Sequence, residues 1–285
     1  MPQRRIFLFG ATSMVGFSLV REAEHAPGTL WPFFNTYASA TPATVGWQRL
    51  NLEDREAVAH LFGDREPPEL LIHCGGVCDV EKCERSPEWA HAVNVQSVAL
   101  LLRHLPRQTR LVYCSSDHVF SGDRGPYCEQ IPCDPLTTYG RTRVAAERLI
   151  LAHRPDALVV RLGLCIGTSF DGRSGHLDWL RYRRRHELPM TLVADEARST
   201  VWGHDLAPRL FALAGSSRVG IRHVVADRIV DRPRLAAFLN QHYGLGAEFA
   251  LQRREQRRVP HLGRVDLVTR FDDTLATPLP SVVPP

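Results

Sequence analysis

Lysine is all but missing from this chain: of its 35 basic residues only Lys82 is a lysine, and the rest are arginine. A bias that runs the whole length reads as composition, not as choice site by site. It means that any motif calling for an ammonium must be met by a guanidinium. Long apolar runs are also missing. None approaches the roughly 18–20 residues that cross a bilayer, and Ile6-Phe7-Leu8-Phe9 is too short for the core of a secretory leader. A cytoplasmic protein with no membrane partner is expected. The seven cysteines, at 74, 78, 83, 114, 128, 133 and 165, are odd in number and form no Cys-x-x-Cys pair. That excludes a disulfide framework and gives no zinc spacing, so small buried thiols and no metal are expected. Basic residues are scattered. The one dense run, 181–186, has no aromatic platform beyond Tyr182, so nucleic acid is not an expected partner.

What is present is ordinary for a globular enzyme: 285 residues, 44% hydrophobic, net charge +4. The first two-thirds alternates short apolar runs with amphipathic stretches, as βαβ units do. Strands are expected at 5–10, 30–36, 70–74, 111–115 and 157–162. Helices are expected at 14–24, 51–62, 87–104 and 139–153. The fold class is α/β, a doubly wound parallel sheet of the Rossmann type over residues 1–164. Residues 165–285 mainly form a small substrate lobe, interleaved with the end of the sheet. The proline-rich tail from Thr277 is expected to be extended.

Between the first strand and first helix lies Gly10-Ala11-Thr12-Ser13-Met14-Val15-Gly16. Glycines there permit a tight turn and let a diphosphate approach a helix N-terminus. Gly10, Thr12, Ser13, Met14, Val15 and Gly16 are therefore candidate dinucleotide ligands, with Ser13 where a middle glycine is usual. Strand two ends Phe34-Asn35-Thr36-Tyr37, with no acid to hold an adenosine ribose and no arginine following closely. The missing acid leans toward NADP over NAD.

Further segments carry a family resemblance over most of the chain. Asn51-Leu52-Glu53-Asp54, Ile72-His73-Cys74-Gly75-Gly76, Asn94, and above all Val112-Tyr113-Cys114-Ser115-Ser116-Asp117-His118-Val119-Phe120 are similar to the dTDP-4-dehydrorhamnose reductases of the extended short-chain dehydrogenase/reductase family. Pro126-Tyr127-Cys128-Glu129 and Tyr139-Gly140-Arg141-Thr142-Arg143 continue the likeness. The resemblance implies that Asn51, Leu52, Cys74, Gly75 and Gly76 line the dinucleotide. It makes Ser116 the hydroxyl that holds a substrate carbonyl and Tyr139 the proton donor. Asp117, His118 and Arg198 fall at substrate positions, Arg198 where nucleotide-sugar members contact a diphosphate. The helices at 87–104 and 139–153 would pair with their symmetry mates in a homodimer, with Leu149 and Ile150 adding apolar surface.

Hydride delivery to a ketone makes an alkoxide that must be protonated as it forms. A phenol with a pKa near 10 serves at neutral pH when a cation stabilises its phenolate. The family supplies that cation, and holds the nicotinamide ribose, with a lysine four residues after the tyrosine. Here Arg143 stands in that place. The spacing puts it on the face of Tyr139, but guanidinium is bulkier and no proton relay, so on sequence alone Arg143→Lys should raise or create activity. The family's tryptophan after the sixth strand is also missing, Leu164 standing there. The expected function is NAD(P)H-dependent reduction of a keto group on a nucleotide-linked sugar. The alternatives are a non-catalytic NADP-binding regulatory subunit serving a partner enzyme, as the regulatory subunit of methionine adenosyltransferase does, or a reductase of a non-sugar natural product. With His118 after Asp117 there is no glutamate to take a sugar C5 proton, so dehydratase chemistry is not expected.

Overall fold

The computed structural model describes residues 5–24, 30–35, 44–63, 66–173 and 175–285. Strand β1 (Ile6–Phe9) lies inside a parallel sheet. Its neighbours are β2 (Leu30–Phe34) on one side and β4 (Leu70–His73) on the other. Outward run β3 (Gln48–Arg49) beyond β2, and β5 (Arg110–Ser116), β6 (Leu158–Leu162) and β10 (Gly220–Val224) beyond β4. The order β3-β2-β1-β4-β5-β6-β10 is doubly wound, and the chain reverses direction across the sheet between β1 and β4.

Alternate residues of the central strands enter two cores. Leu8, Leu70, Ile72, Val112, Leu158 and Val160 face one layer, with α1 (Met14–Ala23) and α8 (Gly203–Gly215) over it. Phe7, Phe9, Leu71, Leu111, Tyr113 and Val159 face the other. That second layer is covered by α2 (Arg55–Gly63), α5 (Ser97–His104) and α6 (Thr138–His153). Burial on both faces is why these strands are near-continuous apolar runs and not alternating ones. Ile150, fully buried, belongs to this core, and Leu149 is half-buried against it.

One expectation needs correcting, and two elements went unread. The helix from 87 to 104 is broken into α4 (Pro87–His91), a wide π-type turn at Ala92–Gln96, and α5. The cause is Asn94, drawn into the loop after β4, as described below. A short helix, α3 (Val80–Arg85), precedes it. The two-residue β3 went unread because so short a strand has no periodicity. The end of strand two at Thr36-Tyr37 lies outside the described residues.

The later third builds a second, smaller sheet from β7 (Leu164–Ile166), β9 (Ala197–Trp202), β11 (Ile229–Asp231) and β13 (Arg264–Val265). Beside it stand α7 (Gly175–Arg185), α9 (Arg232–His242) and the pair β8 (Thr191–Val193) and β12 (Ala250–Gln252). The C-terminal tail is packed down: Leu279 donates to Val225 O and Val282 to Thr200 O, and both side chains are buried.

One buried ion pair ties α6 to the neighbouring strands β5 and β6. Glu147 of α6 accepts from Ser115 Oγ at 2.5 Å and from Arg161 Nη2 of β6 at 2.7 Å, each ionic side chain about 3% exposed. Burial works against the Arg161 charge, but Glu147 holds its pKa above the usual guanidinium value. Glu147→Ala leaves that cation unpaired in the core, and urea denaturation should show a loss of about 3–5 kcal/mol.

Candidate active site

The crevice at the carboxyl edge of the sheet is floored by backbone meeting backbone. Gly10 adopts φ +77°, and a Cβ added to it would lie 2.5 Å from Gly75 N, across the β1–β4 reversal. A Cβ on Gly16 would lie 2.1 Å from Gly10 O. Both glycines are thus demanded by the packing of α1 on β1 and β4. Ser13 caps α1, its Oγ accepting from Gly16 N at 3.0 Å. Thr12 and Val15 are half-buried in the same turn. Met14 leans away, toward Gly167 and Gly175. Asn51 closes a local turn by accepting from Glu53 N at 3.1 Å, and Leu52 packs on the second core.

After β4 the chain turns inward. His73 is buried, and its Nδ1 accepts from Gly75 N at 3.0 Å. Burial, helped by the Arg143 charge, lowers its pKa to about 3, so it is neutral, with Nε2 unpartnered. Cys74 turns into the core, 3.4 Å from Cys114 Sγ. Asn94 ties the loop down: Oδ1 accepts from Val77 N at 2.8 Å, while Nδ2 donates to Val77 O and Thr142 Oγ1, each at 3.0 Å. A single side chain thereby joins the β4 loop to α6, which accounts for the π turn that delivers it.

Strand β5 and helix α6 bring the reactive groups together. Thr137 caps α6, and Glu84 accepts from Thr138 N and Oγ1, fixing the first turn. A Cβ on Gly140 would lie 2.1 Å from His118 O, so α6 can press against the end of β5 only with glycine there. Tyr139, 7% exposed, is thus set against Ser116 and His118, its ring 5.1 Å from the His118 ring. Burial pushes the phenol's pKa up. The Arg143 charge and hydrogen bonds with Ser116 and Arg143 pull it back only in part. Ser116 Oγ accepts from His118 N and donates to Asp117 Oδ1, both at 3.2 Å.

Arg143 lies under this group. Its Cζ is 5.1 Å from the Tyr139 ring centre and 5.7 Å from that of Tyr113. Nη1 donates to Tyr113 Oη at 2.8 Å and toward Gly75 O at 3.4 Å. Ser116, Tyr139 and Arg143, read from motif and spacing, therefore do converge.

Asp117 and Arg198 are nearby but joined to each other. Arg198 Nε donates to Asp117 Oδ2 at 2.8 Å, Nη2 contacts Oδ1, and both side chains are buried. Arg198 Nη1 faces Glu196 at 3.8 Å, and Glu196 is also bound by Arg232 and His261. The donor fork proposed for a diphosphate is thus occupied by carboxylates. Burial, reinforced by Arg198, lowers the His118 pKa to about 3, and His176 is likewise held well below its usual value by burial, Arg232 and Arg198.

Sequence reasoning quoted Tyr113 in the Val112–Phe120 segment without giving it a role, and missed Glu196, Arg232 and His176, which no local motif marks. It also missed Arg49. On β3, opposite Phe34 in register, Arg49 is exposed and its Cζ lies 5.3 Å over the Phe34 ring. No ion-pair partner for it is found among the described residues. The faint signal was an arginine two residues before Asn51. The pairing of β3 with β2 brings it to the strand end where the sequence offered no arginine.

The glycine floor is the test of whether a dinucleotide fits. Side chains that would fill the crevice at 10, 16, 75 and 76 are absent, and the N-terminus of α1 opens above them. Comparison with known proteins places the fold and the family. The family described as RmlD substrate binding domain matches residues 4–252. "Probable dTDP-4,6-dihydroxy-2-methyloxan-3-one 4-ketoreductase" of Streptomyces antibioticus is 30% identical over 224 residues, covering 77% of this chain and 70% of that protein. Methionine adenosyltransferase 2 subunit beta of Rattus norvegicus is 31% identical over 172 residues, 59% of this chain; the match spans 48% of that relative, about half its length. The crystal structure of dTDP-4-dehydrorhamnose reductase from Bacillus anthracis, in complex with NADP, superposes with a TM-score of 0.80 at 19% identity, covering 98% of this chain and 95% of that one.

The Asn94 clamp generates a test. Asn94→Ala strands the Val77 N–H and C=O, and each buried polar group left unpaired costs about 1–3 kcal/mol. The urea midpoint should fall accordingly, and amide exchange at Val77 should rise.

Proposed function

The chain belongs to the RmlD substrate binding domain family, and on that premise we propose that it is an NADPH-dependent reductase of a keto group on a nucleotide-linked sugar. The observation that carries this reading is the convergence of Ser116, Tyr139 and Arg143 beside a glycine floor. Gly10, Ser13, Gly16, Gly75 and Gly76 would hold the dinucleotide, which when bound supplies the hydride. The residues do the rest. Ser116 Oγ turns its O–H from Asp117 to the substrate carbonyl. Tyr139 gives its proton to the oxygen as negative charge develops there. Arg143 compensates the phenolate left behind. A phenol held protonated by burial suits reduction, the direction in which it must give a proton.

His118, held neutral by burial and Arg198, stands against Tyr139 with its ring 5.1 Å away and shapes the pocket beside the phenol. Asp117 and Arg198 orient Ser116 from behind. The choice of NADPH over NADH rests on Arg49: a guanidinium stacked on Phe34 at the end of β2, with no acid at 34 or 35, complements an adenosine 2′-phosphate. A second reading, a cofactor-binding regulatory subunit, is favoured by the likeness to methionine adenosyltransferase 2 subunit beta.

Turnover of NADPH with a panel of 4-keto nucleotide sugars, dTDP-4-dehydrorhamnose first, tests the assignment. We expect reduction that is lost in Tyr139→Phe and falls only at alkaline pH, above the ordinary phenol value near 10. NADPH binding with no sugar reduced would favour the regulatory reading.

For the cofactor, fluorescence titration should show Arg49→Ala weakening NADPH by about tenfold or more while NADH changes less than twofold, as loss of one charge-assisted contact to the phosphate requires. Equal losses for both would remove Arg49 from the 2′-phosphate.

A further inference from the structure

We propose that this active site is built around a guanidinium, with Tyr113 as the residue that positions Arg143 between the proton-donating phenol and the dinucleotide. The inference rests on the cofactor reading above only where it concerns the dinucleotide.

Tyr113 is fully buried on β5, two strands from the glycine turn and outside the catalytic motif. A phenol hydroxyl is costly to bury without a partner, and the partner the structure gives it is Arg143 Nη1, at 2.8 Å. The neighbouring His73 ring, 5.4 Å away and edge-on, gives it none: its Nδ1 is taken by Gly75 N–H and its Nε2 is unpartnered. The other guanidinium edge lies over Gly76. A Cβ there would stand 2.9 Å from Nη2 and 2.5 Å from Asn94 Oδ1, and the φ of +124° independently calls for glycine. The loop after β4 thus has room for the planar group, and Gly75 O offers Nη1 a further acceptor at 3.4 Å.

Nη1 makes both hydrogen bonds while Nη2 fills the space over Gly76, an arrangement that calls for a planar group. One edge is fixed on Tyr113 while the same cation faces Tyr139 at 5.1 Å. A lysine ammonium is a single point on a flexible stem and cannot span both phenols. Put there, it would serve Tyr139 and leave the Tyr113 hydroxyl without a partner, or serve Tyr113 and leave Tyr139 without its cation. The expectation drawn from spacing, that lysine improves the site, is therefore reversed: arginine is the residue these surroundings accommodate. Arg143 Nε is buried and has no partner among the described residues, so the position of the side chain depends on the Nη1 anchor.

The Tyr139 phenol reports on that position. It is faced by Arg143 from its own helix, by Cys78 from the loop after β4, by Ser116 and His118 from the end of β5, and by Arg198 from β9. Removing the Tyr113 hydroxyl frees Nη1, whose next phenol is Tyr139. The guanidinium then moves toward Tyr139 and into the space beside Gly75 and Gly76.

The experiment is a double-mutant cycle of Tyr113→Phe and Arg143→Lys with two readouts: the NADPH dissociation constant, and the ultraviolet titration of Tyr139 taken against Tyr139→Phe. We expect Tyr113→Phe to shift the Tyr139 titration to lower pH and to weaken NADPH about tenfold, the scale of one hydrogen bond to a charged group. Arg143→Lys should weaken NADPH by a similar factor. In the Arg143→Lys background, Tyr113→Phe should change it by less than twofold, because the contact is already gone. Tighter or unchanged binding by Arg143→Lys overturns the proposal, as does a Tyr113→Phe protein with unaltered titration and affinity, or losses that simply add. Should Tyr113→Phe not fold, Arg143→Lys alone decides by its direction. If the unaltered protein binds no NADPH, the cofactor reading fails, and the Tyr139 titration still decides the role of Tyr113.

Discussion

A single buried cation organises this molecule. Arg143 is 5% exposed, and removing a charge from water costs several kcal/mol unless the surroundings replace its hydration. No carboxylate is bonded to it among the described residues. Its partners are Tyr113 Oη, Gly75 O and the Tyr139 phenol, with the faces of two phenol rings beside it. Such partners are weaker than a carboxylate, and that is the point of them. A paired carboxylate would cancel the field at Tyr139, whereas neutral oxygens hold the guanidinium in place and leave its charge to act on the phenol.

The rest of the crevice follows from where that cation must stand. Helix α6 has to approach β5 closely, which Gly140 permits by removing a clash with His118 O. The loop after β4 has to pass beside the guanidinium, which Gly76 permits, and Asn94 pins that loop to Thr142 one position before Arg143. The π turn between α4 and α5 serves the same end, because it turns Asn94 inward where the helix is broken. Glycine turn, β4 loop, β5 end and α6 thus meet at one edge of the sheet, where a doubly wound topology places its ligands.

Much of this could be read from the residues, and the parts that could not share a physical reason. Tyr139 and Arg143 are four apart on one helix, and Ser116 ends a buried strand, so local spacing reports their geometry. The β1–turn–α1 unit was legible for the same reason. Tyr113 was quoted within a family-like segment but given no role, because whether a strand residue faces the site or the core depends on sheet register. Arg49 reaches the end of β2 through a two-residue strand too short to show any pattern. Asp117 and Arg198 are 81 residues apart, and nothing in either segment announces that they pair. Local chemistry was visible in the sequence; pairing across elements was not.

That unforeseen pairing explains how the cleft can carry charge without being anionic or cationic. Asp117 and Glu196 are matched by Arg198 and Arg232, all in contact through a chain of carboxylate–guanidinium bonds. The balance has a consequence for the histidines around it. An unmatched carboxylate would draw a proton onto His118 or His176; here burial and the arginine charges leave both well below their usual pKa. His118 is therefore a neutral ring, while Arg143, beneath Tyr139, is a buried charge that no carboxylate cancels among the described residues. On the proposed function, charge is neutralised where the sugar would lie and left uncompensated where the proton would be given up, an asymmetry that would let a buried phenol act as an acid.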